Sequence, residues 1–361
     1  MGPDPFRLLL LSGASSVHTI RWANGFADGG LEVHLVSQHE PVDELRRSVT
    51  LHRLPHARGL GYLTNGPKLQ RIIADLGPHV VNAHYATGYG LLARWVGSTP
   101  LVLNVWGSDV YDFPESGPLH RRLLRDNLRR ADLVVSTSHA MATRTLNVCP
   151  DLKAPEVVPF GVDTARFSPG TRVPGPMVIG TVKTFAPKYG LDVLIEAFAL
   201  LDGGMEAHLR LVGGGPQESA LRALVQRKGL ADRVTFVPRV AHDRVPEQLR
   251  GLDVYVALSR LDSESFGVAV IEASACGIPV VVSDAGGLPE VVRDGITGFV
   301  VPRNAPAAAA DRISELMASE GMRRRMGQEG RAMVQERYEW SKCLDRMIQL
   351  LRRTAHEGTT R

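Results

Sequence analysis

Short, almost entirely apolar runs recur along the chain, each followed by a glycine-bearing loop and then by an amphipathic stretch. Runs of this kind are typical of strands buried on both faces, and the amphipathic stretches predict helices. The first half contains six runs: RLLLLSG, LEVHLVS, HVVNAHY, LVLNVWG, DLVVSTS and EVVPFGV. The second half contains five: MVIGTVK, HLRLVGGG, RVTFVPR, LDVYVALS and IPVVVSD. The alternation predicts an α/β protein with two doubly wound parallel sheets rather than one large sheet.

The alternation of apolar runs and amphipathic stretches is interrupted once, in the Pro-, Gly- and Arg-rich stretch DTARFSPGTRVPGP, and resumes at Met177. This predicts a first domain at 1–165, a linker at 166–175 and a second domain at 176–339. An ordinary long loop within one domain is the weaker alternative. The chain ends in an amphipathic helix at about 340–361, which could pack back on the first domain or lie on the second. Ligands of such domains bind outside the carboxyl ends of the strands, so a cleft between the two domains is expected to hold the chemistry.

Composition narrows the class of protein. The chain has 361 residues, of which 44% are hydrophobic and 22% charged, which is enough for two cores and argues against disorder. A net charge of +4 fits an anionic ligand and gives no reason to expect nucleic acid. Cys149, Cys276 and Cys343 lie too far apart for zinc or CxxC spacing, as expected for thiols in a reducing cytosol. The apolar run LLLLSG is short and follows Asp4, which favours a strand over a secretion signal. No apolar run reaches the ~20 residues that a membrane-spanning helix needs. We therefore expect a cytoplasmic protein.

The stretch ESFGVAVIE places two carboxylates, Glu264 and Glu272, around a glycine and a predicted helix start. Backbone N–H groups at a helix start form an anion site, and carboxylates accept hydrogen bonds from sugar hydroxyls. Two acids that flank one anion site therefore suit a nucleotide sugar. The alternative, a helix-start acid and a surface acid, is equally compatible with the isolated stretch.

The longer segment ESFGVAVIEASACGIPVVVSDAGGLPEVV resembles the E-x7-E region of retaining GT-B glycosyltransferases of family 4. Four more segments resemble that family: VVPFGVDTARFSP, VIGTVKTFAPKYGLDVLIEAFALL, LRLVGGGPQESALRAL and RVTFVPRVAHDRVPEQL. The resemblance covers nearly the whole chain and is strongest from Val157 to Val301. It implies a GT-B fold, in which two Rossmann-like domains face a cleft. It also implies a retaining enzyme that transfers a sugar from a UDP- or GDP-linked donor to an acceptor hydroxyl.

The resemblance also assigns a donor site. Glu272 would bind the nucleotide ribose, and Glu264 would contact hydroxyls of the donor sugar. Backbone amides at the helix start would face the sugar and diphosphate; they belong to Ser265, Phe266, Gly267 and Val268. Arg239 and Val240 match the strand end that contacts the base.

The phosphate-contacting loop GTVKTFAPKYG departs from the family pattern. Thr181 stands where the family usually has an arginine, and Tyr189 is inserted before Gly190. We expect Lys183 to replace the arginine and Lys188 to supply the second cation; two solvated loop lysines are the weaker interpretation. The chain has no Asp-x-Asp pair, so we expect no metal ion. Lysines and a helix start would instead stabilise the leaving diphosphate. Besides the nucleotide-sugar co-substrate, we expect no cofactor.

The first domain contributes its own candidate residues to the predicted site. Gly13 opens a small-residue loop that leads into a helix with His18 in its first turn, and His84 follows a strand. Trp106 stands where many family members have a sugar-contacting histidine, and Asp109 remains as the matching acid. The polar contact would fall to His18, His84 or Asp109, or else the departing diphosphate itself would help to remove the acceptor proton.

The acceptor is not identified by the sequence and could be a glycan, a lipid-linked molecule or a small molecule. The basic stretch GPLHRRLLRDNLRRADL resembles the helices with which relatives touch anionic membranes, so peripheral contact with the inner membrane face stays open, although a solvated helix face is the better interpretation. Three alternatives to a transferase remain: a nucleotide-sugar epimerase, an inactive nucleotide-sugar-binding homologue, and a two-lobed binding protein.

Overall fold

The computed structural model describes residues 5–171, 175–201 and 206–359, so part of the predicted linker, residues 172–174, lies outside the described residues. The chain divides into two compact units. The first unit runs from the N-terminus to Phe160 and includes the chain from Ser341 onward, and the second unit comprises Gly161–Trp340. The boundary at Phe160 precedes the predicted linker.

Within the described residues, the first unit contains a seven-stranded parallel sheet in the order β3-β2-β1-β4-β5-β6-β7. Its strands are β1 (Arg7–Leu11), β2 (Glu32–Ser37), β3 (Val49–Arg53), β4 (Val80–His84), β5 (Leu101–Val105), β6 (Leu133–Ser136) and β7 (Glu156–Val157). Its helices up to Phe160 are α1 (Val17–Asp28), α2 (Arg58–Thr64), α3 (Gly66–Leu76), α4 (Gly88–Leu92), α5 (Ser108–Tyr111), α6 (Pro118–Arg130) and α7 (His139–Val148).

The second unit contains, among its described residues, a six-stranded parallel sheet in the order β10-β9-β8-β11-β12-β13. Its strands are β8 (Met177–Val182), β9 (Ala207–Val212), β10 (Val234–Val237), β11 (Val254–Ala257), β12 (Val280–Ser283) and β13 (Gly298–Val301). Its helices are α8 (Leu191–Ala199), α9 (Glu218–Arg227), α10 (Val245–Arg250), α11 (Val268–Ala275), α12 (Pro306–Ala318) and α13 (Glu320–Arg337).

The last helix, α14 (Trp340–Thr359), belongs to the first unit from Ser341 onward. Arg346 and Arg353 both donate to the carboxylate of Glu156, at 2.8 and 2.9 Å. Because Glu156 lies on β7, these bonds attach the helix to the far edge of the first sheet.

The most apolar runs form central strands that are covered on both faces, as β1 shows. Leu8–Leu11 of β1 are fully buried and pair with β2 on one side and β4 on the other. Burying each leucine side chain contributes about 2 kcal/mol, which fixes the register of the strand. Both sheets change direction of winding at one point, between β1 and β4 and between β8 and β11. Ligands of doubly wound sheets bind outside the strand ends at such switch points, so the loops after these four strands are where a site is expected.

Candidate active site

A buried ion pair lies at the switch point of the second sheet. Lys183 directly follows β8, and Glu264 lies in the loop between β11 and α11. The Lys183 Nζ donates to Glu264 Oε1 at 2.9 Å, and the two side chains are only 19% and 8% exposed. The backbone N–H of Lys183 donates to the carbonyl of Val212 at 2.9 Å, which fixes the start of the lysine loop. The fold thus brings together two residues that are 81 positions apart in the sequence.

The same loop gathers a second cation. The ammonium groups of Lys183 and Lys188 lie over the ring of Tyr189, 4.4 and 4.8 Å from its centroid. Burial is the largest single influence and would lower the pKa of Lys183, but the charge of Glu264, the contributions of Tyr189 and Tyr255 and the hydrogen bond to Glu264 together outweigh it and hold the pKa above its ordinary value. Lys183 is therefore charged throughout the physiological pH range. Tyr189 departs from the family pattern, and the contact of its ring with both lysines was not predicted.

The loop that carries Glu264 is held by close backbone contacts. Gly286 has φ +53°, and a Cβ at this position would collide with the carbonyl of Glu264. The neighbouring Gly287 N–H donates to that carbonyl at 3.0 Å. A glycine is required at position 286 both by the left-handed backbone and by the lack of space.

Helix α11 begins at Val268, with Gly267 as its N-cap at φ +94°. The N–H groups of its first turn have no acceptor within the helix and carry the positive end of its dipole. Ser265 and Phe266 are buried just before it, and the Phe266 ring packs edge-on against Tyr338 at 5.6 Å. Because that ring belongs to the core, Phe266 can offer a ligand its backbone but not its side chain.

Glu272 is the fifth residue of α11 and is buried. Its Oε1 lies 3.2 Å from Nε2 of His242, which belongs to a short 3-10 helix after β10. Arg239 and Val240 stand in the preceding loop, the arginine exposed and the valine half-buried. The sequence predicted Glu272, Arg239 and Val240 as donor-binding residues but did not single out His242, because the contact joins residues 30 positions apart.

The first unit presents a second group of polar and aromatic residues at its own switch point. Gly13 follows β1 and lies against His39 and Tyr89. His18 is the second residue of α1, and its ring stacks on Phe160 with a centroid distance of 4.4 Å and an interplanar angle of 22°. The structure thus brings His18 to the same edge of the sheet as the Gly13 loop.

His84 ends β4 and is buried rather than presented to a ligand. Its Nδ1 lies 3.0 Å from the Ser12 hydroxyl, and its ring lies 4.3 Å from that of Trp106. Burial, with a smaller contribution from the charge of His18, lowers the pKa of His84 to about 3. Trp106 packs against the imidazole, and the sugar contact of His84 stays a prediction.

Asp109 lies where the loops after β4 and β5 meet. Its buried carboxylate accepts backbone N–H groups from both strand-end loops, Ala86 at 2.9 Å and Gly107 at 2.8 Å, with Trp106 at 3.1 Å. Burial raises the pKa of Asp109, and the backbone hydrogen bonds oppose that rise. Since its oxygens accept these backbone N–H groups, Asp109 holds the loops after β4 and β5 together, and its sugar contact stays a prediction.

Tyr85 was missed by the sequence reasoning. It follows β4 with φ +70°, a left-handed conformation rare for a large side chain, and is 36% exposed. Its ring packs edge-on against Trp106 at 5.4 Å. Its N–H donates to the carbonyl of Asn104 at 3.0 Å, so the sheet holds the loop in this conformation.

Four further features concern metal-binding groups, membrane-spanning helices, the cysteines and the basic helix. Within the described part of the chain, no three His, Cys, Asp or Glu residues are grouped so as to hold a metal ion, and none of the helices is long and apolar enough to cross a membrane. The cysteines Cys149, Cys276 and Cys343 are buried and form no disulfides. Two arginines of the basic helix α6 are paired: Arg121 with Glu115 and Arg129 with Asp151.

Two doubly wound parallel units are the architecture of the GT-B glycosyltransferases, which use nucleotide-sugar donors. The family model described as Glycosyl transferases group 1 matches residues 164–333, and that described as Glycosyl transferase 4-like matches residues 7–138. The chain belongs to the glycosyl transferases group 1, family 4 of the GT-B glycosyltransferases.

Relatives and solved structures agree with this assignment. A GDP-mannose-dependent alpha-(1-6)-phosphatidylinositol monomannoside mannosyltransferase from Mycolicibacterium smegmatis is 31% identical over 287 residues, 74% of this chain and 75% of the relative. The fold is shared with a sucrose-phosphate synthase from Thermosynechococcus elongatus, with a TM-score of 0.83, 23% identity and coverage of 96% of this chain and 98% of that chain. It is also shared with Anabaena HepE in complex with UDP, with a TM-score of 0.79, 19% identity and coverage of 96% and 99%.

Proposed function

We propose that the protein is a retaining glycosyltransferase that transfers a sugar from a UDP- or GDP-linked donor to an acceptor hydroxyl without a metal ion. The observation that carries this proposal is the ion pair of Lys183 and Glu264 at the switch point of the second sheet. It places a fixed cation for a diphosphate next to a carboxylate for sugar hydroxyls. Lys188, over the same tyrosine ring as Lys183, adds a second positive charge.

In the proposed reaction, the bond between the sugar C1 and the diphosphate oxygen breaks, and a bond from C1 to the acceptor oxygen forms on the same face. The acceptor proton passes to an oxygen of the departing nucleoside diphosphate. Negative charge develops on the leaving diphosphate, where Lys183, Lys188 and the first-turn amides of α11 stabilise it. Because these groups supply the charge stabilisation, the step needs no divalent cation.

The two glutamates take different roles in this proposal. Glu272 accepts hydrogen bonds from the ribose, and Glu264 accepts them from hydroxyls of the transferred sugar. Both are buried, so each hydrogen bond is formed away from bulk water and discriminates strongly against a ligand that lacks the hydroxyl. Arg239 and Val240 are assigned to the base.

The acceptor is assigned to the first unit, at the carboxyl ends of β1, β4 and β5. Tyr85 and His18 offer partly exposed rings there, beside the buried Trp106. His84 and Asp109 are assigned to holding these loops, because both are buried and engaged within the unit. The mycobacterial relative is named for a phosphatidylinositol glycolipid acceptor, which makes a glycolipid the first acceptor class to assay.

The proposal is tested by separating binding from turnover. Glu272→Ala is expected to weaken UDP or GDP binding, whereas Glu264→Ala is expected mainly to lower the rate of nucleoside diphosphate release from the sugar donor. Titration calorimetry and a coupled release assay measure the two quantities. Glu315→Gln, which removes a charge from an exposed pair with Arg312 on α12, serves as the control. Unchanged affinity and rate in both test variants would refute the assignment.

Metal independence has its own experiment. Transfer activity is expected to persist in excess EDTA and to fall in Lys183→Met. Activity that disappears in EDTA and returns with magnesium or manganese would show that a metal, rather than the lysines, carries the leaving-group charge.

One observation favours a second candidate function. Trp106 occupies the position of the sugar-contacting histidine of many family members and covers His84. A nucleotide-sugar-binding homologue without transfer activity would bind the donor yet release no nucleoside diphosphate with any acceptor. An epimerase would instead convert the donor in the absence of an acceptor, and product analysis of donor-only reactions distinguishes the two.

A further inference from the structure

A half-buried histidine outside the predicted site is bonded to one of its carboxylates. His242 Nε2 lies 3.2 Å from Glu272 Oε1, and the exposed fractions of the two side chains are 37% and 9%. Within the residues that the structure describes, no hydrogen bond to the other carboxylate oxygen of Glu272 is formed. The contact therefore fixes one oxygen of Glu272 and leaves the second for a ligand.

The other ring nitrogen of His242 determines which nitrogen carries the proton. The Arg166 Nη2 lies 3.4 Å from His242 Nδ1, and a guanidinium can only donate. Nδ1 therefore accepts, and the hydrogen of the neutral imidazole lies on Nε2, from which it is donated to Glu272. In this tautomer, His242 donates to the carboxylate through Nε2 and accepts from Arg166 at Nδ1.

Arg166 is itself held in place within the second unit. Its backbone N–H donates to the carboxylate of Asp163 at 3.1 Å, and its carbonyl accepts from Arg250 at 2.9 Å. The following residue, Phe167, is buried and packs against the His242 ring with a centroid distance of 5.8 Å. The imidazole is thereby restrained through a hydrogen bond on one edge and an aromatic ring beside it.

We propose that His242 is a positioning residue for nucleotide binding: held by Arg166, it orients Glu272 so that the free carboxylate oxygen accepts the ribose hydroxyls. This inference rests on the proposed role of Glu272 in ribose binding and adds the residue on which that role depends. Without His242, the Glu272 side chain can rotate and must be reordered when the ribose binds.

The test compares ligands with and without ribose hydroxyls. UDP and GDP, and the 2′,3′-dideoxy form of whichever binds, are titrated into wild-type protein and into His242→Ala, His242→Gln and Glu272→Ala. We expect His242→Ala to weaken binding of the ribonucleotide about fivefold, the size of one lost hydrogen bond. Binding of the dideoxy ligand is expected to change less than about twofold, because it makes no use of the carboxylate. His242→Gln should restore ribonucleotide affinity, since its amide N–H can occupy the place of Nε2–H.

His208→Ala is the matched control. His208 lies near the amino end of β9, away from the strand ends that carry the site, and bonds to Thr235 at 2.7 Å. Thermal unfolding of each variant shows that it is folded. Equal weakening of ribonucleotide and dideoxy ligand by His242→Ala, or no weakening at all, would overturn the inference while a Glu272→Ala defect still supports the proposed function. If wild-type protein binds neither UDP nor GDP, the proposed function fails and this inference fails with it.

Discussion

Replacing Glu264 by glutamine should strengthen the binding of a nucleoside diphosphate. In the free protein, Lys183 is paired with Glu264 at 2.9 Å, and both side chains are largely buried. A diphosphate that takes this lysine must displace the carboxylate or bind beside it. Glutamine keeps the size and hydrogen-bonding capacity of the side chain but removes the competing negative charge.

The magnitude follows from the geometry of the pair. A phosphate that contacts Lys183 would lie about 6 Å from the glutamate charge, where repulsion is about 3 kcal/mol per charge at an effective dielectric constant of 20. Solvent at the 19% of the lysine side chain that is exposed screens about half of this repulsion, which leaves about 1.4 kcal/mol, or about a tenfold lower Kd. The unliganded variant should also be less stable by about 2 kcal/mol, because the buried ammonium has lost its partner.

Titration calorimetry with UDP and GDP measures the affinity, and urea unfolding measures the stability. Glu315→Gln removes the same charge from an exposed pair with Arg312 and should leave both quantities unchanged. A folded Glu264→Gln protein that binds the diphosphate no more tightly than wild type would show that the two anions do not compete for Lys183. The donor site would then have to be placed away from the pair.

Three further results are expected. His84 makes the stability of the wild-type protein depend on pH, because its side chain takes up a proton near pH 6.5 in the unfolded chain but only near pH 3 in the folded chain. The free energy of unfolding should therefore fall by about 2 kcal/mol between pH 7 and pH 5, and urea titrations of His84→Asn should lack this fall. Gly286→Ala should lower both stability and turnover, because the added Cβ would displace Glu264. Gly295→Ala, at φ +72° with open space around its Cβ, should cost only about 1 kcal/mol of stability, and equal effects of the two substitutions would show that contact with Glu264 is not the cause. Asp109→Ala should destabilise the protein by about 3 kcal/mol in the same assay, since three buried N–H groups lose their acceptor, and a neutral substitution would contradict the positioning role.

The sequence predicted the fold well because buried parallel strands have a distinct local pattern. Its eleven apolar runs all correspond to strands, and it missed β3 and β13. β3 lies at the edge of its sheet and buries only Val49 fully, so its pattern is indistinct. β13 has only four residues and follows a turn, where a short apolar run is not distinctive.

In the candidate site too, only the residues that belong to a local sequence motif could be predicted. Lys183 and Glu264 were proposed from local motifs, but their direct contact depends on two loops that meet only in the folded sheet. His242 and Tyr85 carry no motif: one is recognised by its bond to Glu272, the other by its left-handed backbone and exposure. Conversely, His84 was predicted from its position at a strand end, and that position does not reveal that Trp106 buries it.

The two glutamates that we propose for the donor site have different partners in the free protein, and this difference bears on how the proposed site would distinguish a donor from its product. The partner of Glu272 is His242, which a bound ribose need not displace, since the second carboxylate oxygen remains for the ligand. The partner of Glu264 is Lys183, which we propose also binds the diphosphate. A nucleoside diphosphate alone therefore takes the lysine and leaves Glu264 without compensation, whereas a complete donor returns hydrogen bonds to Glu264 through its sugar hydroxyls. On this argument the pair favours the intact donor over the product, and Glu264→Gln should reduce that preference by strengthening product binding more than donor binding.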